Sequence, residues 1–302
     1  MRIAVIGQAQ FGHDVLNKLI EAKKNIVGVS SPLPKSEIDS DPLGILAKEQ
    51  NLPNIYTDLL KQTEYADQFI NDFSPDLIVF AFVNHIIPKN ILDAATIGSI
   101  QYHPSLLPKY RGRSAMNWAI FNGETETGIS IFWVDAGIDT GPILLQKQAA
   151  IDENDSVATL YFNKLYPLGI EAMIEAVDLT EKGNAPKIKQ DESKSNYDPP
   201  FDEQHAEINW AEDINAIHNK IRASDPQPGA YTYIKNKKIF LYQTNKLSDV
   251  YDNTKPGKIM QVENDSVIIA VRNGSLKINK AKIDGGKKSP ASALLNPDDQ
   301  LG

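Results

Sequence analysis

The chain has 302 residues, 41% hydrophobic and 23% charged, the balance of a globular protein with room for one large or two modest folded units. No run approaches the roughly 18 uninterrupted apolar residues of a membrane span, and the absence of cysteine excludes disulfides, thiolate nucleophiles and cysteine-ligated zinc. A net charge of −8 and a pI near 5.2 count against nucleic-acid binding, which draws on clustered Lys and Arg. The basic runs Lys235-Asn236-Lys237-Lys238 and Lys287-Lys288 are short enough to be solvated turns.

Met1-Arg2-Ile3-Ala4-Val5-Ile6-Gly7 reads as a first buried strand rather than a leader, which makes the cytoplasm the expected compartment. Ile3–Ile6, Ile26–Val29, Leu77–Phe82, Ser99–Tyr102 and Ile129–Val134 are predicted strands. Between them His13–Ala22, Pro42–Gln50, Glu64–Asp72, Pro88–Ala95 and Ser114–Asn122 carry helical patterns. Such alternation predicts an α/β unit with a mostly parallel, Rossmann-like sheet covered on both faces. The run Leu77-Ile78-Val79-Phe80-Ala81-Phe82 is apolar at every position, as a strand buried on both faces requires.

A long helix is predicted over Asp155–Lys182, kinked or restarted at Pro167 and ended by Gly183. The polar, proline-containing stretch 184–204 reads as a linker, and Ala211–Ala223 as one more helix. From Gly229 the period changes to two. Ala230–Ile234, Lys238–Gln243, Gly257–Val262, Val267–Val271 and Leu276–Lys280 are short strands that suggest a small OB-like β-barrel domain. The expected division is a catalytic unit over 1–183, a linker over 184–204 and a C-terminal domain over 205–302. Pro290–Gly302 reads as polar and linker-like, as in a module cut from a longer chain.

Gly7-Gln8-Ala9-Gln10-Phe11-Gly12 follows a strand and opens a helix, but Ala9 stands where a dinucleotide fingerprint needs its second glycine. The end of the second strand, Val29-Ser30-Ser31-Pro32, lacks the acidic residue that would meet a ribose. A tight strand-to-helix turn explains the segment without a ligand.

The segment Gly98–Pro108 carries more. Its strand ends in His103, which Pro104 keeps extended, and alternation puts Gln101 on the same side. An amide and an imidazole thus converge at the carboxyl end of a strand, where open α/β sheets bind ligands; a loop-capping histidine is the alternative. Gly128–Gly141 is a second strand ending in a glycine-rich turn with Asp135 and Asp139. Asp135 reads as turn-forming, and Asp139 as the carboxylate that meets His103. A carboxylate beside an imidazole favours the charged ring, as a general acid or proton shuttle needs.

His103-Pro104-Ser105-Leu106-Leu107-Pro108 with Tyr110-Arg111-Gly112, and the later pattern G-x-S-x-F-x-x-D-x-G-x-D-T-G, resemble the folate-dependent formyltransferase family. The likeness is strongest to the N-terminal hydrolase domain of 10-formyltetrahydrofolate dehydrogenase and extends to methionyl-tRNA formyltransferase. It also takes in Asp41-Pro42-Leu43-Gly44, Ile208-Asn209-Trp210 and Pro228-Gly229-Ala230, and fades after about Thr244. The resemblance implies the formyltransferase fold, 10-formyltetrahydrofolate as formyl donor, and no metal. The family's catalytic histidine and aspartate fall on His103 and Asp139. Gln101 holds the position of its asparagine, which is apolar in the hydrolase domain. The pterin is expected against Phe82, Val83, Asn84, His85, Ile86 and Ile87, with Ile138 and Thr140 completing the folate site.

Water as acceptor would make a hydrolase. An amine on a sugar, a carrier-bound amino acid or an aminoacyl-tRNA would make a transferase. The family's tRNA enzymes carry a basic loop after the second strand, whereas Ser31–Asp41 is acidic on balance here. Without carrier and aldehyde dehydrogenase domains, oxidation of the formyl group is not expected. A non-catalytic folate-binding protein on the same fold is the alternative of another class.

Overall fold

Among the described residues six strands form the first sheet, in the order β2-β1-β3-β4-β5-β6: β1 (Arg2–Gly7), β2 (Asn25–Ser30), β3 (Leu77–Ala81), β4 (Gly98–His103), β5 (Glu126–Trp133) and β6 (Ile143–Ala150). The computed structural model describes residues 1–34, 40–83, 86–251 and 254–302. β1 pairs in parallel with β2 and β3, and β3 with β4, while β5 runs antiparallel to β4. The mostly parallel α/β sheet is as expected. β6 was not expected: beyond Leu144 it alternates half-buried and exposed residues at the sheet's edge, and its Gln146, Lys147 and Gln148 hide the strand.

The helices are α1 (Ala9–Glu21), α2 (Pro42–Glu49), α3 (Thr63–Gln68), α4 (Lys89–Asp93), α5 (Ala115–Phe121), α6 (Val157–Leu160), α7 (Tyr166–Glu181) and α8 (Ile214–Ala223). The break expected near Pro167 is a π turn over Tyr161–Leu165, after which α7 starts with Pro167 in its first turn. Proline is tolerated there because that N–H has no helical partner.

Two compact units divide the chain. The first gathers Met1–Arg111, Gly128–Gln148 and Leu165–Asn196, and holds a core of Phe69, Phe73, Ile78, Phe80 and Ile91 against the sheet. Here the glycine loop acts as a turn. A Cβ on Gly7 would lie 2.4 Å from the Ala81 carbonyl oxygen, so glycine lets β1 and β3 approach. Ala9 takes φ +56, and its N–H donates to Asp41, which also caps α2 through the Leu43 N–H. The Gln8 N–H donates to the Ala81 carbonyl at 3.2 Å, so both of these donors are used within the fold.

The second unit gathers Gly112–Thr127, Ala149–Lys164 and Tyr197–Gly302. Its antiparallel sheet contains β7 (Ala230–Ile234), β8 (Lys237–Leu247), β9 (Ile259–Val262), β10 (Val267–Val271), β11 (Gly274–Ile283) and β12 (Ser289–Pro290). The order is β7-β8-β11-β10-β9, with β12 on β11. An α/β fold followed by an antiparallel β domain is therefore what the chain adopts. Ile239, Leu241, Ile269 and Leu276 pack with Ile217 and Ile221 of α8. Leu295 and Leu301, in the tail that reads as a polar linker, belong to this same core.

α8 also buries His218, whose Nε2 lies 2.8 Å from the Glu153 carbonyl oxygen and so carries a proton. Burial, reinforced by the charges of Arg222 and Lys246, pushes this imidazole down from 6.5 to about 4, although Glu153 opposes the shift. Between those values the unfolded chain binds a proton that the folded chain refuses, so stability is full above pH 6.5 and falls towards pH 4. The expected loss is about 3 kcal/mol. Denaturation midpoints of this unit measured across that range should fall, and His218→Gln should flatten the fall. An unchanged pH slope in the variant would contradict the assignment.

Candidate active site

β4 presents Gln101 opposite Phe132 and His103 opposite Ser130 on β5. The loop after β4 is tied to the sheet through the Ser130 hydroxyl, which donates to the Ser105 carbonyl (2.7 Å) and accepts from the Leu107 N–H (3.0 Å) and Gln146 Nε2 (2.8 Å). That loop turns back until the Tyr110 carbonyl lies 2.7 Å from His103 Nε2. A carbonyl oxygen only accepts, so Nε2 is the protonated nitrogen. Nδ1 is left to exchange a proton, and it faces Asp139 Oδ2 at 3.5 Å. Both side chains are about nine-tenths buried.

Asp139 reaches this position from a strained turn, with φ +54. Asp135 shapes the turn: its Oδ1 accepts from the Gly137 N–H (3.0 Å) and the Thr140 hydroxyl (2.7 Å). A Cβ on Gly141 would fall 1.7 Å from the Trp133 carbonyl oxygen, so only glycine lets the turn fold back on β5.

Beside this pair is a cleft of about 620 Å³ whose described lining includes Gln101, Asp139, Val83, Ile86, Ile87 and Ile138. Six of the eleven residues to which the sequence assigned roles therefore share one wall. His103 is not among the described lining residues, though its Nδ1 lies 3.5 Å from Oδ2 of Asp139, which is. Phe82, at φ +62, and Thr140, whose hydroxyl is bonded to Asp135, are also outside the described lining. Asn84 and His85 lie outside the described residues. Ile86 and Ile138 are 88% and 59% exposed, an apolar surface suited to a flat ligand.

Two contributors went unassigned in the sequence. Arg111 is buried and donates to Gln190 Oε1 and to the Glu192 carboxylate. Glu192 pushes its guanidinium up against the opposing effect of burial, and Asp135 and Asp139 add to the shift. Gln190, also buried, donates to the Asp139 and Gly141 carbonyls. Among the described residues no group of three or more His, Asp or Glu could hold a metal, and no helix is long and apolar enough to cross a membrane.

A strand-end imidazole, a buried carboxylate and an amide at a cleft wall are groups with which acyl transfer can be catalysed. Residues 1–177 match the formyl transferase family and residues 201–298 match the formyl transferase C-terminal domain; the chain belongs to this family. It is 34% identical over 312 residues to the mitochondrial 10-formyltetrahydrofolate dehydrogenase of Mus musculus, covering 98% of this chain and 33% of that protein. The chain thus spans about a third of the length of such curated relatives. To the methionyl-tRNA formyltransferase of Geobacter sulfurreducens it is 32% identical over 300 residues, 98% of this chain and 93% of that one. In fold it resembles HypX from Aquifex aeolicus, solved in complex with tetrahydrofolic acid, with a TM-score of 0.72 at 21% identity over 98% of this chain and 47% of that one. The sugar 3N-formyl transferase WlaRD superposes with a TM-score of 0.66 at 22% identity, over 92% of this chain and 97% of that one.

Proposed function

We propose that the chain transfers the formyl group of 10-formyltetrahydrofolate, bound as substrate, to an amine of a small acceptor or to water. The observation that carries this reading is the His103–Asp139 pair, oriented by the Tyr110 carbonyl and set beside Gln101 at the wall of an apolar cleft. Val83, Ile86, Ile87 and Ile138 suit the flat faces of a pterin, and the polar groups of the wall suit its edge.

The nucleophile attacks the formyl carbon, and negative charge develops on the formyl oxygen. The Gln101 amide donates to that oxygen. Asp139 takes the proton lost by the nucleophile and shares it with Nδ1 of His103. As the carbon–nitrogen bond breaks, its electron pair stays on N10, which receives the proton held between Asp139 and His103 and leaves as tetrahydrofolate. The other product is a formamide, or formate when water attacks. No step needs a covalent enzyme intermediate.

Donors aimed at a developing oxyanion act on the transition state more than on the ground state. Gln101→Ala is therefore expected to slow turnover about 100-fold while folate affinity stays within about threefold. Steady-state kinetics beside calorimetric binding checks this, and an equal loss in both would remove Gln101 from that role. Assaying tetrahydrofolate release in buffer alone, then with amino sugars, amino acids and aminoacyl-tRNA, separates the acceptors.

Coverage of 93% of a methionyl-tRNA formyltransferase favours aminoacyl-tRNA as a second reading. The net charge of −8 opposes it, because tRNA affinity rests on phosphate contacts. Formylation of methionyl-tRNA at rates above those with free amines would establish it.

A further inference from the structure

We infer that the strap Gln190–Asn196 positions both halves of the His103–Asp139 pair, with Gln190 holding the carboxylate side and Asn196 the imidazole side. The kinetic consequences rest on the formyl-transfer reading above; the geometric ones do not.

At one end, Gln190 Nε2 donates to the Asp139 carbonyl at 2.8 Å and to the Gly141 carbonyl at 2.7 Å. Both hydrogens of one amide thus grip the backbone on either side of Thr140, in the turn where Asp139 is held at φ +54. The amide cannot be turned over. Its Oε1 accepts from Arg111 Nε (3.2 Å) and Nη2 (2.8 Å), and a flip would set NH₂ against a guanidinium and oxygen against two carbonyls. Arg111 is fixed in turn by Glu192, at 2.9 Å from Nη1 and 2.8 Å from Nη2.

At the other end, Asn196 Oδ1 accepts the Tyr110 N–H at 2.7 Å, and the Asn196 carbonyl accepts the Arg111 N–H at 3.2 Å. Tyr110 is the residue whose carbonyl binds His103 Nε2, and it too stands in the left-handed region, at φ +59. The two non-glycine residues with positive φ that meet His103 are therefore both held by one seven-residue segment. Neither Gln190 nor Asn196 is among the described residues of the cleft wall, so they act through Asp139 and Tyr110. They are positioning residues.

The two amides work with opposite polarity, and that separates positioning from general structural support. Gln190→Glu keeps the acceptor towards Arg111 but removes both donors, whereas Asn196→Asp keeps the acceptor that Tyr110 needs. Gln190→Glu is expected to lower kcat about 10- to 100-fold with KM within about threefold, because small misplacements of a reacting group are costly. Asn196→Asp should stay within about threefold of wild type, and Asn196→Ala should fall about 10-fold. Combined with Asp139→Asn, Gln190→Glu should add no further loss, since both changes disable the same carboxylate. Gln190→Asn, which shortens the reach but keeps a neutral amide, replaces Gln190→Glu if that variant does not fold.

The decisive experiment follows the His103 ring nitrogens by ¹⁵N NMR in the full chain, alongside these kinetics. Gln190→Glu or Gln190→Asn should move the Nδ1 resonance and spare Nε2, and Asn196→Ala should move Nε2. Unmoved resonances, or additive losses in the double variant, would overturn the inference. A wild-type chain that transfers no formyl group to any acceptor would overturn the reading of function, while the ring resonances would still decide the role of the strap.

Discussion

Replacing His103 by alanine is expected to lower turnover about 1,000-fold while leaving folate affinity within about threefold. The Tyr110 carbonyl engages Nε2, so proton exchange is confined to Nδ1, and Asp139 Oδ2 is 3.5 Å from that atom. The ring itself is not part of the described cleft lining, so ground-state binding has little to lose. Asp139→Asn should show the same asymmetry, because an amide cannot accept the proton. Separate determination of kcat and of tetrahydrofolate affinity checks both variants. Parallel loss of affinity and turnover would mean that the pair holds the ligand rather than transforming it.

The second large effect concerns stability. Asp155 is buried in the second unit, where its carboxylate accepts from the Asp152 N–H (2.9 Å), the Thr159 hydroxyl (3.0 Å) and Lys164 Nζ (2.6 Å). Burial pushes its pKa up, but these three donors outweigh it and hold the carboxyl below its usual range. Its backbone carbonyl accepts from the buried Arg222 at 2.8 Å. Asp155→Ala strands the Asp152 N–H and the Thr159 hydroxyl, and leaves Lys164 with Asp152 as its remaining carboxylate partner, at 2.7 Å. Because Lys164 keeps Asp152, the loss is that of hydrogen bonds to a buried carboxylate, about 1–3 kcal/mol. The urea midpoint of this unit should fall accordingly, and a change below about 1 kcal/mol would contradict the network. A depressed carboxylate contributes stability above its unfolded pKa and loses it as pH falls further. Asp155 therefore extends to lower pH the acid sensitivity that His218 begins at 6.5.

What could be read in the sequence was local. Leu77–Ala81 is apolar at every position because both of its faces are covered. His103-Pro104 and Asp139-Thr140-Gly141 were visible because a strand end and a tight turn leave marks at adjacent positions. β6 was not visible, since an edge strand with one face in solvent carries the glutamines and lysine of a loop. Nor were Leu295 and Leu301, each a single apolar residue in a polar tail. The strap was hidden for a different reason. Gln190 binds backbone carbonyls 51 and 49 positions away, and a carbonyl leaves no signature in residue type. Arg111 lies inside a conspicuous motif, yet its partners follow 79 and 81 positions later in a stretch whose polarity suggests a linker.

The most direct test of the account is tetrahydrofolate release from 10-formyltetrahydrofolate by the wild-type chain and by His103→Ala, in buffer alone and with each class of amine. Release by the wild type that is lost in the variant is the predicted result, with the productive condition identifying the acceptor. Tight binding of reduced folate with no release under any condition, unchanged in His103→Ala, would contradict formyl transfer and leave a folate-binding protein built on the formyltransferase fold.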